Sequence, residues 1–257
     1  MNRSPDTRPL AGWSVLCLRP SMQQAAARRA AQARGARHVA LPGVRLVSLP
    51  AAAALEQALA CATLVFTSPA AVHFAARQRP LRPNSATQVF AVGAGTARAL
   101  ARQGIEAIAP PPEAMHSEGM LAMPQWQGVI GAVGLVTAPG GRGVIAAGLN
   151  QRGLRILRAE VYQRLPPQLD ARHHHAIRSA VAPRAVLVSS AEALDGALAA
   201  LPPALRAHVL ESLAVASSPR LANHAEALGF ARVFIASAPT TSAMLDALES
   251  SASPGFR

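Results

Sequence analysis

Along this chain the apolar residues come in short blocks. Each block ends in one or two small polar or glycine residues and is followed by a longer stretch of helical spacing. The block Leu64-Val65-Phe66 runs into Thr67 and Ser68, after which Pro69 opens an alanine-rich helical pattern. That order reads as a buried parallel strand turning straight into a helix, with Ser68 as N-cap and Pro69 at the first helical position. The design recurs at Val186-Leu187-Val188 before Ser189 and Ser190, and at Ala214-Val215-Ala216 before Ser217, Ser218 and Pro219. It recurs with a glycine turn at Val89–Val92 before Gly93 and Thr96, and a fifth time where Thr240 follows the strand pattern at 233–236.

The same reading predicts strands at 13–18, 63–67, 88–92, 105–109, 134–138, 185–189, 213–216 and 232–236. Helices are predicted over 22–34, 51–60, 69–78, 95–103, 116–123, 144–152, 168–181, 190–200, 218–228 and 240–249. Ser21 and Gln24 have capping-box spacing ahead of the first helix, and residues 1–11 read as a loose tail. Two stretches, 38–49 and 155–165, are extended without a buried-strand pattern, the first bent at Pro42-Gly43 and the second ended by Pro166-Pro167.

Alternating strands and helices of this length imply parallel sheets with crossover helices. The single strand and helix before residue 38 are too little to fold alone. The economical arrangement is therefore a discontinuous α/β domain of 1–37 plus 166–257, with a second α/β domain of 50–154 inserted in it. The linker strands 38–49 and 155–165 would join two flavodoxin-like or Rossmann-like domains, and strand ends would face a cleft.

Composition narrows the chemistry. Of 257 residues 51% are hydrophobic but only 4% aromatic, so the core is built from Ala, Val and Leu. All 25 basic residues are arginine, which excludes a Schiff-base lysine and a Walker-type phosphate-loop lysine. Against 13 acidic residues the net charge is +12, favouring an anionic partner. Cys17 and Cys61 have no metal-ligand spacing and read as buried thiols in a reducing compartment. No stretch has the length of a signal sequence core or a membrane span, which points to a soluble cytoplasmic protein.

Helix N-termini present unpaired N–H groups and the positive end of the helix dipole, so each strand-to-helix turn is a small anion seat. Singly, Thr67, Ser68, Thr96, Ser189, Ser190, Ser217, Ser218 and Thr240 would be ordinary caps. Repeated on one face, they suit a ligand with many carboxylates or phosphates. Gly141 and Arg142, in the glycine turn 140–143, could add backbone N–H groups and a guanidinium, although a flexible turn explains them equally well. Gly93-Ala94-Gly95 begins like a dinucleotide fingerprint, but Arg98 holds the sixth position and no acidic residue follows at the required distance. A tight turn is the better reading. His173, His174 and His175 point to different sides of a helix and cannot easily share a metal ion. Tyr162, the only tyrosine, lies on the second extended stretch; a lone aromatic is usually a packing residue, but its place on the linker facing the expected cleft makes it the candidate proton donor. No nucleophilic triad or paired carboxylates can be assembled.

Taken in order, these residues resemble the uroporphyrinogen-III synthase family. The resemblance rests on Val-Leu-x-Leu-Arg-Pro at 15–20, Thr-Ser-Pro-x-Ala-Val at 67–72, Ala-Val-Gly-x-x-Thr-Ala at 91–97 and Gly-Gly-Arg at 140–142. It continues through Val-Tyr-Gln-Arg at 161–164, Val-Ser-Ser at 188–190 and Ala-x-x-Pro-Thr at 236–240. Ala70 departs from it, standing where many members carry asparagine. The resemblance implies two parallel-sheet domains joined by a two-stranded linker, no cofactor and no metal. It also implies a linear tetrapyrrole substrate, hydroxymethylbilane, whose eight carboxylates match the seats and the positive charge. The reaction that the resemblance implies loses water, passes through an azafulvene and a spiro intermediate, and closes the macrocycle with ring D inverted. Tyr162 would assist departure of the hydroxyl, and Thr67, Ser68, Gly93, Thr96, Gly141, Arg142, Ser189, Ser190, Ser217, Ser218 and Thr240 would hold the arms. The expected state is a monomer without nucleic-acid or membrane partners, and a transient contact with the preceding enzyme of the pathway stays open. The alternative is a non-catalytic two-domain binding protein for an anionic small molecule. Nucleic-acid binding rests on charge alone, and aromatic platforms for it are scarce.

Overall fold

The computed structural model describes residues 8–140 and 143–252. The chain divides into two compact units, one of Met1–Arg45 with Leu165–Arg257, the other of Leu46–Arg164. Both are doubly wound α/β folds.

In the first unit, strands β1 (Ser14–Cys17) and β2 (Arg37–Ala40) join β9 (Arg184–Val188), β10 (Leu213–Ala216) and β11 (Val233–Ile235) in one sheet. The order is β11-β10-β9-β1-β2, every pair parallel. Numbered within the unit this is 2-1-3-4-5, the flavodoxin-like order. Strand periodicity sends alternate side chains to opposite faces. Leu16, Val186, Val188 and Ala214 pack on one side, under α8 (Ala191–Ala199), α9 (Pro203–Leu210) and α10 (Pro219–Ala227), with Ile177 of α7 (Ala171–Arg178). Val15, Ala185, Leu187 and Val215 pack on the other, under α1 (Gln24–Ala33) and α11 (Thr241–Ala252). Burial on both faces explains why these strands read as unbroken apolar runs.

The second unit repeats the plan. Strands β4 (Thr63–Phe66), β5 (Gln88–Ala91), β6 (Ala132–Thr137) and β7 (Arg155–Glu160) form a parallel sheet in the order β5-β4-β6-β7. Helices α2 (Ala52–Leu59), α3 (Pro69–Gln78) and α4 (Ala94–Ala101) cover Leu64, Phe66 and Val136. On the other face α5 (Ser117–Leu121), Trp126 and α6 (Val144–Gln151) cover Val65, Phe90 and Leu135. A separate ladder pairs β3 (Arg45–Ser48) with β8 (Tyr162–Leu165).

Several expectations need correction. The extended stretches at 38–49 and 155–165 are not linkers throughout. The first opens with β2, which pairs with β1, and the second opens with β7, which pairs with β6. Both are edge strands, exposed on one side, which is why their apolar pattern is broken. The strand at 105–109 shrinks to one bridge between Ile108 and Phe90, because Pro110, Pro111 and Pro112 follow at once and cannot donate to a ladder. Helix α9 falls between 200 and 213, where the sequence reading predicts no element; Pro203 occupies its first helical position, where no N–H is needed.

The expected capping box at Ser21 does not form. Ser21–Gln23 is a turn of 3₁₀ helix, and α1 begins without a side-chain cap. Gln24 reaches back instead, its amide nitrogen donating to the carbonyls of Cys17, at 3.1 Å, and Arg19. Of the expected loose tail, residues 1–7 lie outside the described residues, while Leu10 is fully buried and its N–H donates to Arg34 at 2.9 Å.

The bend at Pro42-Gly43 and helix α8 meet backbone to backbone. A Cβ on Gly43 would lie 1.8 Å from the Ala193 carbonyl oxygen, and one on Gly196 would lie 2.2 Å from that of Gly43. Only glycine fits at either place.

One pH effect follows from the exit of β1. Gln24 Oε1 lies 2.8 Å from His38 Nε2. The Gln24 amide nitrogen is already donating, so its oxygen accepts and His38 carries its proton on Nε2. Burial first, and the Arg28 guanidinium second, push the His38 pKa below its ordinary 6.5. The unfolded chain therefore takes up this proton first, and stability present above pH 6.5 is lost as pH falls through the folded value. The urea midpoint of the first unit should fall between about pH 8 and about pH 5.5, and by less in His38→Gln. Equal falls in both proteins would remove His38 from the effect.

A candidate active site at the end of the second sheet

In the second unit the connections reverse direction between β4 and β6, so this is the topological switch point where open α/β sheets bind ligands. The sequence prepares it on both sides. After β4 come Thr67 and Ser68; after β6 come Ala138, Pro139 and Gly140. A pocket of about 220 Å³ opens there. Thr67 Oγ1 and Thr137 Oγ1, one from each strand exit, lie 3.0 Å apart and bridge the switch point. Gly143, at φ +67, is the N-cap of α6, and the first turn of that helix borders the pocket. A left-handed φ at this position favours glycine.

Tyr162 closes one side. Its ring is 2% exposed and stacks on Phe74 of α3, centroids 5.3 Å apart and planes 15° from parallel. Its phenolic oxygen lies 3.0 Å from Ser68 Oγ. Ser68 is also the N-cap of α3, its Oγ accepting from the Ala71 N–H at 3.0 Å. With a lone pair committed to the helix, the serine still has a proton to give the phenol. Arg158 and Arg164 line the same pocket, and no carboxylate lines it among the described residues. Arg158 Nε is held by Glu160 at 3.0 Å, while Arg164 has no ion pair among the described residues. The local field is positive, with hydroxyl donors around it.

Of the residues singled out in the sequence, the structure brings Thr67, Ser68 and Tyr162 together. Gly93 and Thr96 do not line this pocket. Thr96 is 3% exposed, and the Ala94 N–H beside Gly93 donates to Met115 Sδ at 3.5 Å. Gly141 and Arg142 lie outside the described residues. Thr137, Ser117, Arg158 and Arg164 are pocket residues the sequence reading missed. Arg164 was within reach of it, since a strand places residues 162 and 164 on one face.

In the first unit Ser190, Ser218 and Thr240 cap α8, α10 and α11, accepting from Ala193, Leu221 and Ala243 at 3.3, 3.4 and 3.2 Å. The Ser217 N–H extends the ladder by donating to Val188 at 3.0 Å, and Ser189 is exposed. The seats are not equivalent. Pro219 removes one free N–H from the α10 start, while Glu192 places a negative charge in the first turn of α8, where it opposes an anionic ligand.

The histidine run has a local explanation. Asp170 caps α7 through the His173 N–H at 3.0 Å, and His173 Nδ1 lies 2.7 Å from Asp170 Oδ1. That hydrogen bonding, backbone first, holds the Asp170 carboxyl below its ordinary pKa. No cluster of three metal-ligating side chains occurs among the described residues. Cys17 and Cys61 are buried and unpaired, and burial pushes both thiols up, which keeps them protonated and inert. Among the described residues no helix is long and apolar enough to cross a membrane.

Fold and pocket together define a two-unit parallel α/β protein whose second unit presents a basic, hydroxyl-lined switch-point site. Comparison with known proteins identifies the kind. The family model of uroporphyrinogen-III synthase HemD matches residues 25–246, and the chain belongs to that family. It is 31% identical over 162 residues to the uroporphyrinogen-III synthase of Escherichia coli, an alignment spanning 62% of this chain and 66% of that protein. Two crystal structures share the fold. One is uroporphyrinogen-III synthetase from Helicobacter pylori, with TM-score 0.59, 14% identity and coverage of 92% of this chain and 98% of that one. The other is a mutant uroporphyrinogen III synthase from Thermus thermophilus, with TM-score 0.56, 20% identity and coverage of 92% and 97%.

Proposed function

We propose that this protein is a uroporphyrinogen-III synthase, a cyclising lyase that acts as a single chain in the cytoplasm. It closes hydroxymethylbilane with loss of water and inversion of ring D. The observation that carries this reading is the Tyr162 phenol beside Ser68, on a pocket with two guanidinium groups and no lining carboxylate among the described residues. Whole small-molecule ligands usually occupy pockets of about 300–1,000 Å³. At about 220 Å³ this one suits a single substituted pyrrole ring, not four.

Arg158, Arg164 and the first turn of α6 would take the carboxylate arms of that ring. Ser190, Ser218 and Thr240, with Ser189 and Ser217 beside them, would offer further and unequal carboxylate seats at helix starts, the one at α8 weakened by Glu192. The Tyr162 proton would pass to the departing hydroxyl, and the Ser68 hydroxyl would donate to the phenolic oxygen as negative charge grows there. Gly93 and Thr96 would act through the position of α4 and not by direct contact.

The test is a coupled assay. Freshly generated hydroxymethylbilane is mixed with the protein, the product is oxidised, and the uroporphyrin isomers are separated. Predominantly isomer III is expected. Isomer I alone, from folded protein, would reject the activity and leave an anion-binding protein as the reading.

A further inference from the structure

We infer that helix α3 is a three-point holder for Tyr162, and that Gln78, at its last turn, is a positioning residue for the phenol. This rests on the reading of Tyr162 as the proton donor. The Ser68 cap meets the phenolic oxygen, and Phe74 stacks on the ring. The third point is less visible. Gln78 Nε2 donates to the carbonyls of Leu49, at 2.9 Å, and Val161, at 3.3 Å, while its Oε1 accepts from the Ala51 N–H at 2.9 Å. Val161 directly precedes Tyr162. Its own N–H donates to Thr137 at 3.0 Å, and its carbonyl also accepts from Leu49 at 3.0 Å. One amide thus ties both extended segments of the unit to the end of α3.

Phe74 and Gln78 are four residues apart and share a face of the helix, so this is one surface meeting one side chain. Three contacts along a rigid helix fix the position of the phenol as well as its orientation. Chemistry that passes one proton at a defined atom is sensitive to errors of about 1 Å.

Because the chain has a single tyrosine, ring-labelled tyrosine gives a direct view of this residue by NMR. Three variants are compared with the wild type: Gln78→Met, which keeps the length and loses all three bonds, Phe74→Leu, and Arg77→Ala on the exposed face of α3 as control. In Gln78→Met and Phe74→Leu the carbon signal next to the phenolic oxygen should move and ring flipping should quicken. Turnover in the isomer assay should fall about tenfold with KM within about twofold, and the share of isomer I should rise. The control should match the wild type. If Gln78→Met does not fold, Gln78→Glu reports the same signals, since it keeps the Ala51 bond but sets a carboxylate against two carbonyls. An unchanged ring signal in either Gln78 variant would overturn the positioning role. A moved signal with unchanged turnover and isomer ratio would leave the holder standing and remove Tyr162 from the chemistry.

Discussion

Tyr162→Phe should turn over hydroxymethylbilane about ten- to a thousandfold more slowly than the wild type, and the residual product should contain more isomer I. In free energy this is about 1.4–4 kcal/mol of transition-state stabilisation. The expected loss lies in the lower part of the usual range for a removed proton donor or below it, because the reaction that the family resemblance implies also runs unaided to the uninverted isomer. The lost product therefore reappears as the wrong isomer. The variant keeps the ring, so stacking on Phe74 survives, and Ser68 still caps α3 through Ala71. Folding stability should drop by only about 1 kcal/mol, the worth of one hydrogen bond. A thermal melt taken alongside the assay separates the two effects. An unchanged rate would remove the tyrosine from the mechanism.

The second large effect concerns stability. Gly43→Ala should destabilise the first unit by about 3 kcal/mol or more, because the added carbon meets the backbone of α8 and not a side chain that can swing away. Gly12→Ala in the same unit makes the comparison. Its φ of +82 strains any other residue, but nothing lies within 4 Å of the added carbon. The cost there should be only about 1–2 kcal/mol. For units of this size 1 kcal/mol moves a melting midpoint by about 2–4 °C, so Gly43→Ala should melt at least about 6 °C lower. Unfolding followed by circular dichroism and by the two tryptophans, Trp13 in the first unit and Trp126 in the second, assigns the shift to a unit. A cost below about 1 kcal/mol for Gly43→Ala would contradict the close approach of α8.

These residues also show what the sequence made legible. Helix α3 was read to the residue at both ends, because a serine cap and a proline at the first position are local signals that need no tertiary partner. The inner strands β1, β4, β6, β9 and β10 are legible as well, because burial on two faces leaves unbroken apolar runs. Of the edge strands, β5 and β11 keep enough apolar residues to be predicted, whereas β2 and β7 read as linkers because polar residues interrupt them. The Gln24 side chain answers carbonyls at the β1 exit, which no spacing rule within α1 could reveal. In the candidate site Thr67, Ser68 and Tyr162 were legible, as a cap and as a lone tyrosine. Thr137 and Arg158 were not, since they become neighbours of Thr67 only once β6 lies beside β4 and β7 beside β6.

The sheet orders carry a consequence for synthesis on the ribosome. The second unit is one continuous stretch, Leu46–Arg164, and can close as soon as β7 has emerged. The first cannot: β1, made before any of the second unit, is an inner strand whose register partner across the sheet is β9, with Ser14 opposite Arg184. Until then β1 has only β2 on one side, and its other edge stands unpaired while a whole domain folds downstream. Long-range parallel pairing of this kind is slow and exposes apolar strand edges in the interval. Strand β1 is thus the part of the nascent first unit most in need of protection, and a truncated product ending near residue 164 would hold one finished sheet and one permanent sticky edge.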